Sequence, residues 1–154
     1  MGNMENKLKE MGITLPSAPP KGGVYTPVKE FGEKLVYVSG CGPDLNGEVI
    51  YRGKLGKELT LQEGQEAAKC CMLNILAVLN ENIGLDKIKC VVKLLVLVAS
   101  DNDFYMQPQT ANAASEILRD LLGEENGLAS RSAIGVNVLP GNMPVEIEAI
   151  FELK

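Results

Sequence analysis

Cys90-Val-Val-Lys-Leu-Leu-Val-Leu-Val-Ala99 is the stretch of sequence that decides the fold. It is apolar almost throughout and rich in valine, a pattern typical of a β-strand that is covered on both faces. The apolar run from Val91 is interrupted by Lys93 and reaches only about half the length of a membrane-spanning helix. We therefore predict an interior strand of a sheet.

Helical patterns lie on both sides of this strand. Thr60-Leu-Gln-Glu63 is a capping box, and apolar residues spaced three and four apart follow it as far as Gly84. Glycine readily takes the left-handed conformation that ends a helix. After Pro108, a second apolar periodicity runs from about Gln109 to Gly123. The sequence thus predicts two amphipathic helices, one before and one after the central strand.

The other segments alternate in polarity or are rich in branched residues, and they predict four further strands: Lys34–Gly40, Glu48–Arg52 after the turn Asn46-Gly47, Ala133–Val138 and Val145–Glu152. The order β, β, helix, β, helix, β, β indicates an α+β fold in one domain over residues 1–154, with two helices on one face of the sheet. Residues 1–22, rich in proline and glycine, are expected to form an N-terminal extension over this domain.

Two helices cannot cover both faces of a sheet whose strands carry branched residues on both sides. We therefore expect the second face to be buried against other subunits. The last two strands are expected to form a hairpin around Leu139–Pro144. That pairing would place Arg131 opposite Glu152 and roughly 20 Å from Glu146, at about 3.4 Å per residue. Arg131 and Glu146 could then share a ligand only between subunits.

Composition excludes several kinds of chemistry. The absence of histidine removes Ser-His-Asp and Cys-His catalysis and imidazole metal sites. A net charge of −5 and a pI near 4.8 disfavour nucleic acid as a partner. No apolar signal-peptide core follows Lys7 and Lys9, and the four cysteines show no CxxC spacing, so we expect a cytoplasmic protein with reduced thiols. Catalysis by Cys41 as a nucleophile remains an alternative.

Three stretches could carry chemistry: Tyr25 with Ser39-Gly40, Asn102-Asp-Phe104 with Asn112, and Arg131-Ser132 leading to Glu146. An arginine at the start of a strand can hold a carboxylate through two charge-assisted hydrogen bonds, but it can equally be a solvated strand-end residue. Glu146, Glu148 and Glu152 share one strand face. That face is either merely solvated or supplies a carboxylate that orients water.

Several motifs carry a resemblance to a known family: Ala129-Ser-Arg-Ser-Ala-Ile-Gly-Val136 with Leu139-Pro140, Val145-Glu-Ile-Glu-Ala-Ile-Phe151, Gly23-Val-Tyr25, Leu35-Val-Tyr-Val-Ser-Gly40 and Asn102-Asp-Phe104. They resemble the Rid family, also called YjgF-type or L-PSP endoribonuclease-like, over about residues 22–153. Three features point to a divergent, longer subgroup. They are the stretch Tyr51–Gly56, the N-terminal lead, and Ala133, which stands where many members carry cysteine.

The resemblance implies a chorismate-mutase-like fold with a mixed sheet, assembled as a homotrimer around an inner β-barrel, with ligand sites in clefts between subunits. It also implies hydrolysis of 2-imino acids, or their enamine tautomers, to 2-keto acids and ammonia. Carried over, Arg131 grips the substrate carboxylate, and Glu146 of a neighbouring subunit orients the attacking water. The residues implied to line the cleft are Tyr25, Ser39, Gly40, Asn112 and the backbone of Ala133. No metal or cofactor is expected.

Other functions stay open at this point. The same clefts could bind small carboxylates or keto acids without turnover, which would make the protein a regulatory one. An endoribonuclease or translation inhibitor is disfavoured by the low pI, the aromatic content of 5% and the lack of a basic, aromatic groove. Chorismate mutase chemistry needs several converging cations, and Arg131 is a single one.

Overall fold

A mixed five-stranded sheet forms the centre of the molecule, in a computed structural model that describes residues 3–154. The strands follow each other across the sheet in the order β1-β2-β7-β5-β6. Their bounds are Val28–Phe31 (β1), Leu35–Cys41 (β2), Ile88–Ala99 (β5), Ser130–Val136 (β6) and Val145–Leu153 (β7), and a separate two-stranded ladder joins Asp44–Leu45 (β3) to Glu48–Val49 (β4). The predicted α+β class and the interior position of the valine-rich strand are confirmed.

Four α-helices accompany the sheet within the described residues: Asn3–Glu10 (α1), Leu61–Asn82 (α2), Gln107–Leu122 (α3) and Glu124–Gly127 (α4). The predicted capping box is present, because the Thr60 side chain accepts from the backbone N–H of Glu63 and the Glu63 carboxylate accepts from Thr60. Helix α3 begins two residues earlier than predicted, with Pro108 in its first turn, where a missing N–H costs nothing. The predicted loop after Gly123 contains α4.

The predicted hairpin between the last two strands is wrong. β6 lies parallel to β5, with Arg131 opposite Leu94, whereas β7 lies antiparallel on the other side of β5, with Ala149 opposite the same Leu94. The chain passes from β5 through α3 and α4 before it enters β6, which is the crossover that a parallel neighbour requires. The short turn before β7 therefore leads from one side of β5 to the other.

Two smaller predictions also need correction. Only Glu48–Val49 of the predicted strand Glu48–Arg52 is paired, and its partner is β3 across the turn at Asn46 and Gly47, which both have positive φ. The strand predicted from Ala133 begins at Ser130 and includes Arg131. β1, which pairs with β2, was not predicted, because Val-Lys-Glu-Phe is short and half charged.

One face of the sheet is packed against α2 and α3, and no helix within residues 3–154 covers the other. The covered face supplies fully buried residues such as Val96, Ile147 and Phe151. The uncovered face carries apolar or aromatic side chains that stay partly exposed: Tyr37, Leu95, Leu97, Ile134 and Ile150. Burying apolar area contributes about 25 cal/mol per Å², so this face favours association.

The N-terminal segment lies against the domain. Met4 and Leu8 of α1 are buried in the main core, and Met11, Ile13 and Leu15 pack against it from the following stretch. The proline-rich residues then lead to β1. None of the described helices is both long and apolar enough to cross a bilayer.

Candidate functional site

Arg131 projects from the edge strand β6 toward α3. Its Nη1 donates to the Asn112 Oδ1 and to the Ser115 Oγ, both at 3.0 Å, and its Nη2 lies 3.4 Å from the carbonyl oxygen of Pro108. All three acceptors belong to α3, so one helix orients the guanidinium. Partial burial lowers the pKa of Arg131, but a guanidinium stays protonated at any physiological pH.

No carboxylate within residues 3–154 forms a salt bridge with Arg131. The guanidinium faces a groove of about 580 Å³, which we call the Arg131 groove. The residues that line it are Asn112, Ser115, Glu116, Arg119, Leu128, Ala129 and Arg131. Arg119 is paired with Asp120 at 2.8 Å. Arg131 is therefore a positively charged, pre-oriented group with donors left for a planar anion.

Glu146 projects from the opposite face of the sheet. It alternates along β7 with the buried Val145 and Ile147, and its register partner on β5 is Leu97. No hydrogen bond or salt bridge to its carboxylate occurs within the described part of the chain. Burial, and secondly the charge of Glu148, raise the pKa of Glu146. A half-buried carboxylate without a partner has the properties of a proton acceptor.

A bulge in β2 makes room for this carboxylate. Val38 pairs with Ala149 and Cys41 with Ile147, so Ser39 and Gly40 together lie opposite the single residue Glu148. A Cβ atom on Gly40 would lie 2.1 Å from the Glu146 Oε1. Any side chain at Gly40 would thus displace the acid.

Tyr25 and Ser39 lie beside Glu146. With Gly22, Gly40, Pro140, Met143 and Glu146 they line a pocket of about 440 Å³, which we call the Glu146 pocket. The Tyr25 hydroxyl accepts from the backbone N–H of Gly22, and the Ser39 Oγ donates to the carbonyl of Thr26. The Ser39 bond holds the segment before β1 against the bulge, and the Tyr25 bond folds that segment onto itself.

The predicted site residues therefore form two separate groups within one chain. Arg131 and Asn112 meet in the Arg131 groove, and Ala133 follows Arg131 on the same face of β6. Tyr25, Ser39 and Gly40 meet Glu146 in the Glu146 pocket. Arg131 and Glu146 are offset by two strand spacings and three residues along β5, which puts their Cα atoms roughly 14 Å apart. The separation of roughly 20 Å between Arg131 and Glu146 that the sequence predicted rested on the wrong hairpin. The two side chains are still kept apart, because they point to opposite faces of the sheet.

Two contacts of Arg131 were not predicted from the sequence. They are the Ser115 hydroxyl and the Pro108 carbonyl. Ser115 follows Asn112 by three residues on α3, and residues three apart lie on the same helical face. That spacing was the available signal for Ser115, whereas a backbone carbonyl leaves no trace in the sequence.

The four cysteines are free thiols, and three of them are buried. Burial, with a contribution from the nearby Glu146 charge, raises the pKa of the Cys41 thiol to about 12. A reactive thiol needs a lowered pKa, so the alternative of a Cys41 nucleophile is disfavoured. Among residues 3–154, no group of three carboxylate or thiol side chains is arranged to hold a metal ion.

Comparison with known proteins identifies the family. Residues 5–152 match the family model described as "YjgF/chorismate_mutase-like, putative endoribonuclease". The chain belongs to the YjgF/chorismate mutase-like family. The resemblance of the sequence motifs to YjgF-type proteins is thereby confirmed, and the match includes most of the N-terminal segment.

Relatives of this YjgF-family chain match it over nearly its full length. Protein TCP17 of Trypanosoma cruzi is 38% identical over 99% of this chain and 96% of its own length. The crystal structure of Atu1372 from Agrobacterium tumefaciens, a protein of unknown function, is 39% identical with a TM-score of 0.89, covering 98% of this chain and 92% of that one. A structure described as a putative endoribonuclease from Shewanella oneidensis has 30% identity and a TM-score of 0.92, covering 97% and 99%.

A more distant structure, Escherichia coli TdcF with bound serine, is 24% identical, with a TM-score of 0.59 and coverage of 90% of this chain and 92% of that one. This likeness shows that the two proteins share a fold.

Proposed function

We propose that this protein hydrolyses 2-imino acids, or their enamine tautomers, to 2-keto acids and ammonia, at sites between the subunits of a homotrimer. The observation that carries the proposal is the Arg131 guanidinium, which α3 orients through Asn112 and Ser115 and which no carboxylate of the described chain neutralises. A small organic acid is the ligand that such a group fits best. TdcF, which shares the fold, holds serine, another small carboxylate.

Assembly is part of the proposal, because one chain places the two halves of the site on opposite faces of its sheet. Arg131 lies on one face and Glu146 on the other. The uncovered face, with Leu97 and Ile134 partly exposed, supports burial against other copies. In the trimer implied by the family resemblance, the uncovered faces form an inner barrel. The Arg131 groove of one subunit then faces the Glu146 pocket of the next.

Each group has one task in the reaction. Arg131 holds the substrate carboxylate, and the backbone at Ala133 helps to fix the substrate or the water. Glu146 of the neighbouring subunit accepts a proton from water while the water oxygen bonds to C2 of the protonated imine. The C=N electron pair moves onto nitrogen and gives a carbinolamine. Glu146 returns the proton to nitrogen, the C–N bond breaks, and ammonia leaves. The Glu146 carboxylate then accepts the hydroxyl proton, and the hydroxyl oxygen becomes the keto oxygen.

The reaction makes modest demands on the protein, which suits a chain without histidine. Iminium carbon is already electrophilic, so orientation of the substrate and one water supplies most of the required acceleration. Because the pKa of Glu146 is raised toward neutral pH, its carboxylate is a stronger base than that of an ordinary glutamate. We place the reaction in the cytoplasm, where the free thiols stay reduced.

A coupled assay tests the proposal. An amino-acid oxidase generates 2-iminopropionate or 2-iminobutyrate, and release of the keto acid is followed with and without the protein. We expect faster release with wild type and at least a 100-fold loss of that effect with Arg131→Ala. Arg119→Ala, in the same groove but already paired with Asp120, is the matched control and should stay within about threefold of wild type. Equal rates for wild type and Arg131→Ala would contradict the proposal.

Binding without turnover is the competing function. Calorimetric titration with 2-ketobutyrate distinguishes the two: binding that depends on Arg131, together with no effect on imine hydrolysis, would indicate a keto-acid-binding regulatory protein. Cleavage of RNA by wild type, lost in Arg131→Ala, would instead indicate ribonuclease activity.

A further inference from the structure

Residues 51–56 connect the core of the domain to a turn beside the Glu146 pocket. Leu55, within this segment, is fully buried, and its N–H donates to the carbonyl of Ala99. The carbonyl of Leu55 in turn accepts from the N–H of Asp101, just after the end of β5. These contacts fix the segment to the sheet, so its other residues can serve as a firm support.

Arg52 and Gly53 bind the turn that leads into β7. The Arg52 Nη1 donates to the carbonyl oxygen of Gly141, and the Gly53 N–H donates to the carbonyl oxygen of Asn142 at 2.9 Å. Within residues 3–154, no carboxylate forms a salt bridge with Arg52. We call residues 140–143 the Pro140 turn. Two consecutive carbonyls of this turn are thus held from the same side.

The Pro140 turn has a backbone that depends on such support. Gly141 and Asn142 have φ angles of 62° and 57°, in the left-handed region. A residue other than glycine persists there when the surrounding structure favours it. The two backbone hydrogen bonds that close the turn are each 3.2 Å long, at the upper end of the usual range. The bonds from residues 52 and 53 therefore add to a turn that is weakly closed by itself.

The Pro140 turn forms one wall of the Glu146 pocket. Pro140 and Met143, at its two ends, both line that pocket. The Met143 side chain lies directly over Gly42, because a Cβ atom on this glycine would overlap the Met143 Sδ. A turn that moved outward would open the pocket on this side and admit water to the half-buried Glu146 carboxylate.

We propose that Arg52 is a positioning residue for Glu146: it fixes the Pro140 turn and so limits the access of water to the Glu146 carboxylate. This inference rests on the proposed function, in which Glu146 accepts a proton during imine hydrolysis. Arg52 does not itself line the Glu146 pocket, so it acts through Pro140 and Met143.

The pKa of Glu146 reports the state of this wall. Burial is the largest cause of its raised pKa, and the charge of Glu148 is the second. The other titratable side chains beside it within the described residues are Cys41, Cys71 and Tyr25. Greater access of water would lower the pKa of Glu146, whereas loss of the positive charge of Arg52 would by itself raise it. The direction of a shift therefore separates the two effects.

NMR titration of the side-chain carboxyl carbons measures this pKa, with Glu146→Gln to assign the signal. Arg52→Met removes the donor, and we expect the pKa of Glu146 to fall by about half a unit. Arg52→Lys keeps a donor and should stay close to wild type. Lys54→Met is the matched control in the same segment: it removes a charge and a hydrogen bond to Asn137 and should leave the pKa unchanged. An unchanged or raised pKa in Arg52→Met, or equal shifts in all three variants, would overturn the assignment.

Imine hydrolysis gives a second readout. The acidic limb of the kcat profile of Arg52→Met should move to lower pH together with the pKa measured by NMR. Its kcat at neutral pH should fall about twofold or more, because a weaker base accepts the proton less readily. A limb that stays in place while the pKa of Glu146 falls would overturn the positioning role. Absence of hydrolysis in wild type would contradict the proposed function alone, because the effect of Arg52 on Glu146 is read by NMR.

Discussion

Arg131 and Glu146 point away from each other on opposite faces of one sheet, although a single strand, β5, separates β6 from β7. Arg131 is turned toward α3, and Glu146 is turned toward the face that the described residues leave uncovered. Within one chain, a small substrate whose carboxylate binds at Arg131 cannot be reached by a water bound at Glu146. Shared chemistry of these two residues requires a second copy.

The pH profile should respond to the neighbour of Glu146. Glu146 must be ionised to accept a proton, and burial together with the Glu148 charge raises its pKa, so kcat should fall as the pH falls through this raised pKa. Glu148→Gln removes the like charge and should shift the acidic limb of the kcat profile to lower pH. Glu146→Gln should lower kcat at least 100-fold with little change in KM. An acidic limb that stays in place in Glu148→Gln would contradict this assignment.

Gly40 should act as a positioning residue through Glu146. Gly40→Ala places a Cβ atom 2.1 Å from the Glu146 Oε1 and 2.9 Å from its Cδ, so the carboxylate must move. We expect kcat to fall at least tenfold while KM stays within about threefold, because Arg131, which we propose binds the substrate carboxylate, is untouched. The melting temperature and the elution volume in size-exclusion chromatography check the fold. A variant with wild-type kcat would contradict the role of Gly40.

The capping box of α2 should contribute to stability and not to activity. Thr60→Ala removes the acceptor for the Glu63 N–H, and loss of such a cap costs about 0.5–2 kcal/mol in the free energy of unfolding. Thr60→Ser keeps the acceptor and is the matched control, with an expected change of only a few tenths of a kcal/mol. Urea denaturation at one fixed subunit concentration measures both. Equal losses in the two variants would show that the hydroxyl is not the cause.

Local patterns in the sequence predicted the elements well, and pairing between elements poorly. The capping box at Thr60 and the valine-rich strand each depend on neighbours in sequence, and both are present. The hairpin prediction failed because proximity in sequence favoured pairing β6 with β7, whereas helix α3 carries the chain to the far edge of β5. The hairpin prediction considered only residues 133–152, and the helix that redirects the chain lies before them.

The candidate site shows the same limit. The motifs that resemble the Rid family brought Arg131 and Asn112 forward, and the structure joins them by a hydrogen bond. The division of the named residues between two faces depends on strand order, which the alternation of a single strand does not reveal. The bulge at Ser39-Gly40 also depends on pairing, because an extra residue can be recognised only against its partner strand.

Mixing two inactive variants tests the shared site most directly. Arg131→Ala and Glu146→Gln subunits are purified separately, unfolded and refolded together at equal amounts, and assayed for imine hydrolysis against each variant refolded alone. In a random assembly, about one quarter of the interfaces pair an intact Arg131 with an intact Glu146 of the neighbour. We predict recovery of about a quarter of wild-type activity. A mixture no more active than its components would contradict a site shared between subunits.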